Sequence, residues 1–248
     1  MDATRREGPT LPRFDDSRPI LVSALLDHHG PPPKPGGGPL AVDDLSKSDA
    51  DPFEKLAGAA LSLIAEPRVA ASALAALRVS GLLEPPALAA INPLELEDLL
   101  KQARVRIAPK SLRPLLKLAR WAADEGFDAE RATSASTETL REAWRMLKGL
   151  GPATVDSILS RGLGRATYPV DRATYRILVR HGWLDPTADY DEARSVAESL
   201  APDDSAMLTR LSAAFERVGR DFCKPTVAKC ERCPLRSLLP EGGPREAD

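Results

Sequence analysis

Three cysteines lie within eleven residues near the C-terminal end of the sequence, at Cys223, Cys230 and Cys233. This odd number at short spacing does not match a disulfide framework, because each disulfide bond needs two cysteines. Clustered thiolates are instead typical ligands of zinc ions and of iron–sulfur clusters. The spacing therefore predicts a metal or cluster site.

The short sequence Lys148-Gly149-Leu150-Gly151 separates two amphipathic segments and leaves room only for a tight turn. Glycine has no Cβ and tolerates positive φ, so backbone N–H groups at such a turn can approach a ligand closely. Pro152 suits the first position of a following helix, whose first N–H groups attract anionic oxygens. The sequence predicts either a phosphate-binding turn or a turn with a purely structural role.

Asp171 follows the second glycine of this turn by twenty residues, within the sequence Tyr-Pro-Val-Asp, and directly precedes another amphipathic segment. A carboxylate at a helix N-terminus is held in its ionised form by the helix dipole. It can stabilise developing positive charge or activate a water molecule. The alternative is a simple N-cap for the helix, with Thr174 three residues on.

The elements that must position these residues are predicted to be helices. Apolar residues recur at helical spacing from Asp51 onward, and alternating β-type runs are almost absent. The first helix begins with Asp51 as N-cap and Pro52 at its first position, and its apolar face includes Ile64. We expect an all-α fold of roughly ten short helices.

Composition suggests three segments of different character. Residues 1–50 form an extension with a proline- and glycine-rich linker, 51–220 a helical core with the turn and its helices at about 140–162, and 221–248 a cysteine-bearing loop and tail. The chain has a net charge of -2, but residues 101–180 contain 16 Lys or Arg against 8 Asp or Glu. This basic middle section is a candidate phosphate-facing surface.

No apolar run approaches the roughly 18 to 20 residues that cross a bilayer, and the N-terminus lacks the apolar region of a signal peptide. We therefore expect a cytoplasmic protein with no membrane partner.

Four stretches together resemble the endonuclease III-like DNA glycosylases of the helix-hairpin-helix superfamily. They are LKGLGPATVDSIL, YPVDRATYRIL, DPFEKLAGAALS, and GRDFC with its C-x6-C-x2-C continuation, and they span about residues 51–235. The resemblance implies a two-lobed helical fold with an iron–sulfur loop, which binds double-stranded DNA containing a lesion or mismatch. It implies a monomer that associates with the nucleoid through DNA, and a catalytic role for Asp171.

The resemblance also indicates which residues contact DNA. The turn would bind phosphate through its backbone, while basic side chains near the turn and among the cysteines would add sequence-independent affinity. The residues concerned are Gly149, Leu150, Gly151, Ala153, Thr154, Lys110, Ile64, Lys148, Lys229 and Arg232.

The sequence departs from the family at the position of the lyase lysine, which forms a Schiff base with the sugar in bifunctional members. Ala153 stands at this position, and a methyl group cannot form an imine. Lys110 and Lys148 are alternative amines, but we interpret both as phosphate contacts or solvated charges. The prediction is a monofunctional glycosylase.

A second departure replaces the glutamine that helps to fill the gap left by the extruded base. Ile64 stands there, and an apolar wedge can support an opened base stack without hydrogen bonding to the orphaned base. The identity of the excised base is left open, because the shape of the base pocket decides it.

The third departure concerns the fourth cluster ligand, whose position is occupied by Leu239. A four-iron, four-sulfur cluster held by Cys223, Cys230 and Cys233 then needs a non-cysteine or solvent ligand, for which Glu241 and the tail are candidates. A three-iron form, a zinc site and an empty thiol cluster are the alternatives.

A further alternative for the whole protein is a non-catalytic lesion-sensing role, against which the retained Asp171 argues.

Overall fold

The structure is a computed structural model that describes residues 20–25, 27 and 49–245. Residues 20–25 and 27 are helical. Between residues 49 and 245 lie the helices α1 (Pro52–Ser62), α2 (Pro67–Val79), α3 (Pro85–Ala90), α4 (Pro93–Gln102), α5 (Pro109–Asp124), α6 (Ala129–Ser134), α7 (Thr137–Arg145), α8 (Pro152–Leu163), α9 (Arg172–Arg180), α10 (Tyr190–Glu198) and α11 (Ser205–Asp221). Two 3-10 helices follow at Cys230–Arg232 and Arg236–Leu238.

The all-α prediction is confirmed. The described residues contain no strand, and Cys223 and Ala228 form an isolated antiparallel bridge. No helix among them is long and apolar enough to cross a membrane. The predicted linker lies almost wholly outside the described residues.

Proline and short polar residues determine where many helices begin. Helices α1 to α5 and α8 each begin with a proline, which lacks the N–H that the first helical position leaves unpaired anyway. Asp51 caps α1 by accepting a 2.8 Å hydrogen bond from the Phe53 N–H. These start signals explain why the helices lie close to their predicted positions.

Residues 49–169 form one compact unit around α1. Seven of the eleven residues of this helix are buried, and it packs against α2, α5 and α8. Gly162 of α8 allows a close approach to α1, since a Cβ at this position would lie 3.2 Å from Leu56 Cδ2. The Trp121 ring packs edge-on against Trp144 at 5.4 Å and closes the core beside α7.

Residues 170–245 belong to a second compact unit, together with residues 20–25 and 27. In this unit α9 packs against α11. The contact depends on Gly219, where an added Cβ would lie only 2.3 Å from Ala173 Cβ. The domain bounds expected from the sequence describe functional segments and stay a prediction.

Candidate nucleic-acid interface and metal centre

The turn between α7 and α8 has the backbone geometry that its glycines suggest. Gly149 has a φ of 101°, a region that L side chains rarely adopt. Leu150 is buried, with 4% of its surface exposed, and its N–H donates to the Leu147 carbonyl at 2.9 Å. Gly151 is the N-cap of α8. The buried leucine anchors the turn, while both glycines are exposed.

The first turn of α8 presents backbone donors without acceptors. Val155 N–H donates to the Gly151 carbonyl at 3.0 Å, but no side chain caps the helix. Within the described residues, no hydrogen bond is found for the N–H groups of Ala153 and Thr154. Such groups at the positive end of a helix dipole favour an anionic oxygen.

Lys117 lies beside this turn and was not identified from the sequence. Its ammonium group, on α5, donates a hydrogen bond to the carbonyl oxygen of Lys148. The Lys148 side chain itself is exposed. No local pattern indicates this contact, because it joins residues 31 positions apart.

A buried polar network joins the two helices on either side of the turn. Arg141 of α7 donates from Nε to Asp156 Oδ1 of α8 at 2.8 Å and from Nη2 to Thr167 Oγ1 at 2.9 Å. Thr167 Oγ1 donates to the same Asp156 oxygen at 3.0 Å, and Glu138 pairs with Arg141 from the outer side. Burial lowers the pKa of Arg141, but the hydrogen bond and charge of Asp156 outweigh this effect and raise that pKa overall.

Two further predicted DNA contacts lie in the same unit. Lys110 is an exposed residue at the start of α5. The sequence predicted Ile64 as part of α1, but this prediction is wrong, because the helix ends at Ser62. Its N–H donates to the Leu61 carbonyl at 3.1 Å, and its side chain is half-buried against the core. Ile64 is therefore a turn residue.

Asp171 is the N-cap of α9, as the sequence predicts. Its Oδ1 accepts a 2.7 Å hydrogen bond from the Thr174 N–H, and its carbonyl accepts from the Tyr175 N–H at 3.0 Å. The preceding Val170 donates its N–H to the Tyr190 hydroxyl at 3.4 Å. The residue is exposed, and its second carboxylate oxygen has no partner among the described residues. The cap fixes the carboxylate while leaving one oxygen available.

The three cysteines line one pocket in the second unit. Arg180 of α9 donates to Cys223 Sγ at 3.2 Å and to the Lys224 carbonyl at 2.8 Å. Arg176, one turn earlier, donates from Nε to the Cys223 carbonyl at 2.8 Å. The helix that begins after Asp171 therefore holds the first cysteine of the loop.

Burial is the main influence on the pKa of the two later thiols, and Arg180 opposes it at Cys230. Burial raises the pKa of Cys230 and of Cys233, and the neighbouring cysteines raise both values further. The thiolate forms therefore require a positive partner. Lys229 directly precedes Cys230, Arg232 lies two residues after it, and both are exposed.

The three cysteines are not arranged around a single metal ion. Among the described residues, no group of three or more His, Cys, Asp or Glu side chains is arranged to hold a metal ion. A zinc ion needs each sulfur ligand about 2.3 Å from one point, whereas thiolates of a cluster ligate different iron atoms. Leu239 lines the pocket, while Glu241 is exposed and does not.

Comparison with known proteins gives sequence relatives and similar structures, and no family model matches the chain. A protein of Methanocaldococcus jannaschii named "Putative DNA repair glycosylase MJ1434" is 28% identical over 166 residues, which cover 60% of this chain and 75% of that protein. A trapped covalent intermediate of endonuclease III with DNA has a TM-score of 0.61 at 19% identity, covering 94% of this chain and 98% of that chain. A thermostable thymine-DNA glycosylase has a TM-score of 0.58 at 18% identity, covering 90% and 95%.

These similarities confirm the resemblance that the four sequence stretches predict. At such low identity the two solved structures establish the fold, and the relative extends the likeness to the sequence.

Proposed function

We propose that this endonuclease III-like chain is a monofunctional DNA glycosylase, which extrudes a damaged or mismatched base and hydrolyses its N-glycosidic bond. The observation that carries the proposal is the Asp171 carboxylate, held by the α9 N-terminus through one oxygen with the other unpaired. Cleavage of an N-glycosidic bond develops positive charge on the deoxyribose. A fixed carboxylate stabilises this charge or activates the attacking water.

The turn at Gly149 and Gly151 is the proposed phosphate contact. The unpaired N–H groups of Ala153 and Thr154 supply donors, and the exposed glycines let a backbone phosphate approach them. Contacts of this kind position the DNA without reading its sequence. The proposal is supported by the names of the sequence relative and of the structural neighbours.

Hydrolysis rather than lyase chemistry is proposed because Ala153 offers no amine at the second position of α8. Lys148 and Lys110 remain exposed lysines suited to phosphate contacts. Borohydride reduction during turnover tests this assignment. We expect no covalent protein–DNA species. A covalent species that forms with the wild type and disappears in Lys148→Ala or Lys110→Ala would overturn the assignment of hydrolysis.

Base extrusion is assigned to Ile64. Its half-buried position after α1 leaves part of the side chain free to support the opened stack. Substituting Ile64 by Ala is expected to slow excision from paired duplex more than from single-stranded DNA. Equal slowing on both substrates would argue against a wedge.

Cys223, Cys230 and Cys233 are proposed to hold a four-iron, four-sulfur cluster. Its contribution is structural, since it would cross-link residues 223–233 and fix the exposed Lys229 and Arg232 for contact with phosphate. Iron and sulfide analysis of anaerobically purified protein tests the cluster separately from glycosylase activity.

The decisive experiment is a single-turnover assay on duplexes that carry a panel of damaged and mismatched bases, followed by alkali to cleave abasic sites. Asp171→Asn should retain the cap and the fold, because asparagine caps helices as well as aspartate does, but should lose excision. Asp189→Asn is the matched control, since Asp189 caps α10 in the same unit through the Glu192 N–H.

The outcomes separate the possible roles. Excision that survives Asp171→Asn removes the proposed mechanism. Selective lesion binding without excision from any substrate would instead identify a lesion-sensing protein.

A further inference from the structure

His181 is a buried residue beside the cysteine pocket, with 5% of its surface exposed. It follows α9 directly as the C-cap residue. It lines the same pocket as the three cysteines. The proposed glycosylase mechanism gives this residue no role.

The hydrogen bonding of the ring determines which nitrogen can bind a metal. Nδ1 of His181 lies 3.1 Å from the carbonyl oxygen of Leu238. A carbonyl only accepts, so Nδ1 carries the proton, and Nε2 of the neutral ring holds the free electron pair. Within the described residues Nε2 makes no hydrogen bond. Histidines that bind metals typically donate their other N–H to a carbonyl or carboxylate in this way.

The ring is also held next to the position where the cysteine pattern is incomplete. Its partner Leu238 immediately precedes Leu239, the residue at the fourth ligand position, and Leu239 lines the pocket. Trp183 stacks on His181 with ring centroids 4.5 Å apart and an interplanar angle of 19°. Two contacts therefore fix the orientation of the imidazole.

We propose that Nε2 of His181 is the fourth protein ligand of the group held by Cys223, Cys230 and Cys233. This inference rests on the proposed iron–sulfur cofactor and replaces the exposed Glu241 as the candidate. Imidazole ligates iron in other iron–sulfur centres, so a set of three thiolates and one histidine is chemically sound. The ligand comes from a residue 42 positions before the first cysteine, which explains why cysteine spacing did not reveal it.

The composition of the chain permits a selective spectroscopic test, because His28, His29 and His181 are its three histidines. In a His28→Asn, His29→Asn variant, isotopic labelling of histidine reports on His181 alone. We expect pulsed electron paramagnetic resonance of the reduced cluster to show a nitrogen coupling that changes when ¹⁵N-histidine replaces ¹⁴N-histidine. His181→Ala should lose this coupling, whether solvent then takes the fourth position or the fourth iron is lost.

His181→Cys is the second variant, since a thiolate can restore four irons without a nitrogen coupling. A four-iron cluster with no histidine coupling, or with an unchanged spectrum in His181→Ala, overturns the assignment while leaving the cofactor in place. Protein that binds neither iron nor sulfide overturns the cofactor and this inference together. Protein that binds zinc without sulfide overturns the iron–sulfur cofactor. If His181→Ala then loses the zinc, the assignment of His181 as a ligand stands. If His181→Ala keeps the zinc, that assignment is overturned too.

Discussion

Arg141 Nε and Asp156 Oδ1 lie 2.8 Å apart in a buried ion pair, with 5% and 0% of the two side chains exposed. One residue belongs to α7 and the other to α8, so the pair connects the helices that flank the Gly149-Leu150-Gly151 turn. The network extends to Thr167 through both partners. The ion pair therefore positions the turn, because movement of either helix would separate the two charges.

Asp156→Ala is expected to destabilise the protein by about 3 to 5 kcal/mol, because it removes the buried carboxylate beside Arg141 and leaves only the exposed Glu138 to offset the buried charge. Urea unfolding measures this loss. Replacing both residues, by Met at 141 and Leu at 156, should cost much less than Asp156→Ala alone. Removing the exposed ion pair of Arg131 and Glu125 by Arg131→Met is the matched control and should cost under about 1 kcal/mol. A loss of that small size in Asp156→Ala would show that the pair is not structural.

Gly219→Ala tests the close packing of α11 against α9. The added Cβ would lie 2.3 Å from Ala173 Cβ, so the helices must separate. We expect a loss of about 1 to 3 kcal/mol in thermal or urea unfolding, typical of overpacking. The compensating double variant Gly219→Ala, Ala173→Gly removes the clash and should regain most of that stability. If Gly219→Ala is as stable as the wild type, the helices do not require this close contact.

The helices could be predicted from the sequence, whereas several contacts that position the candidate site could not. Pro152 and Asp171 act locally at helix starts, so their roles as first helical residue and N-cap could be predicted from neighbouring residues. Arg141 lies 15 positions from Asp156 and Leu238 lies 57 positions from His181, and only tertiary packing brings each pair together. The end of α1 before Ile64 was missed because the apolar periodicity continues beyond the helix.

The two glycines of the turn are expected to respond differently to substitution by alanine. Gly149→Ala forces a side chain to a φ of 101° and should destabilise the protein by about 1 to 2 kcal/mol. Gly151 has a φ of -71° with open space around its Cβ position, so Gly151→Ala should fold normally. If phosphate binds at the N–H groups beside Gly151, the added methyl group should keep the phosphate away from them. This stable variant should then lose about tenfold in DNA affinity, equivalent to one charge-assisted hydrogen bond. Unchanged DNA affinity in folded Gly151→Ala would remove the turn from the interface.

Phosphate contacts by exposed basic residues should appear in the salt dependence of DNA binding. Each lysine or arginine that neutralises a phosphate contributes about -0.9 to the slope of log K against log salt concentration. Single substitutions of Lys110, Lys148, Lys229 and Arg232 by alanine should therefore each make the slope shallower by nearly one unit, with little change in sequence preference.

Lys101 provides the matched control for these four residues. It is exposed, but its ammonium group lies 3.0 Å from Glu97 and 3.4 Å from Asp98, so its charge is already paired within α4. Lys101→Ala should leave the salt slope unchanged in fluorescence anisotropy titrations on undamaged duplex. An equal change for Lys101 and for the four predicted residues would indicate a general effect of net charge. A shallower slope confined to the predicted residues would identify them as the ones that neutralise phosphate.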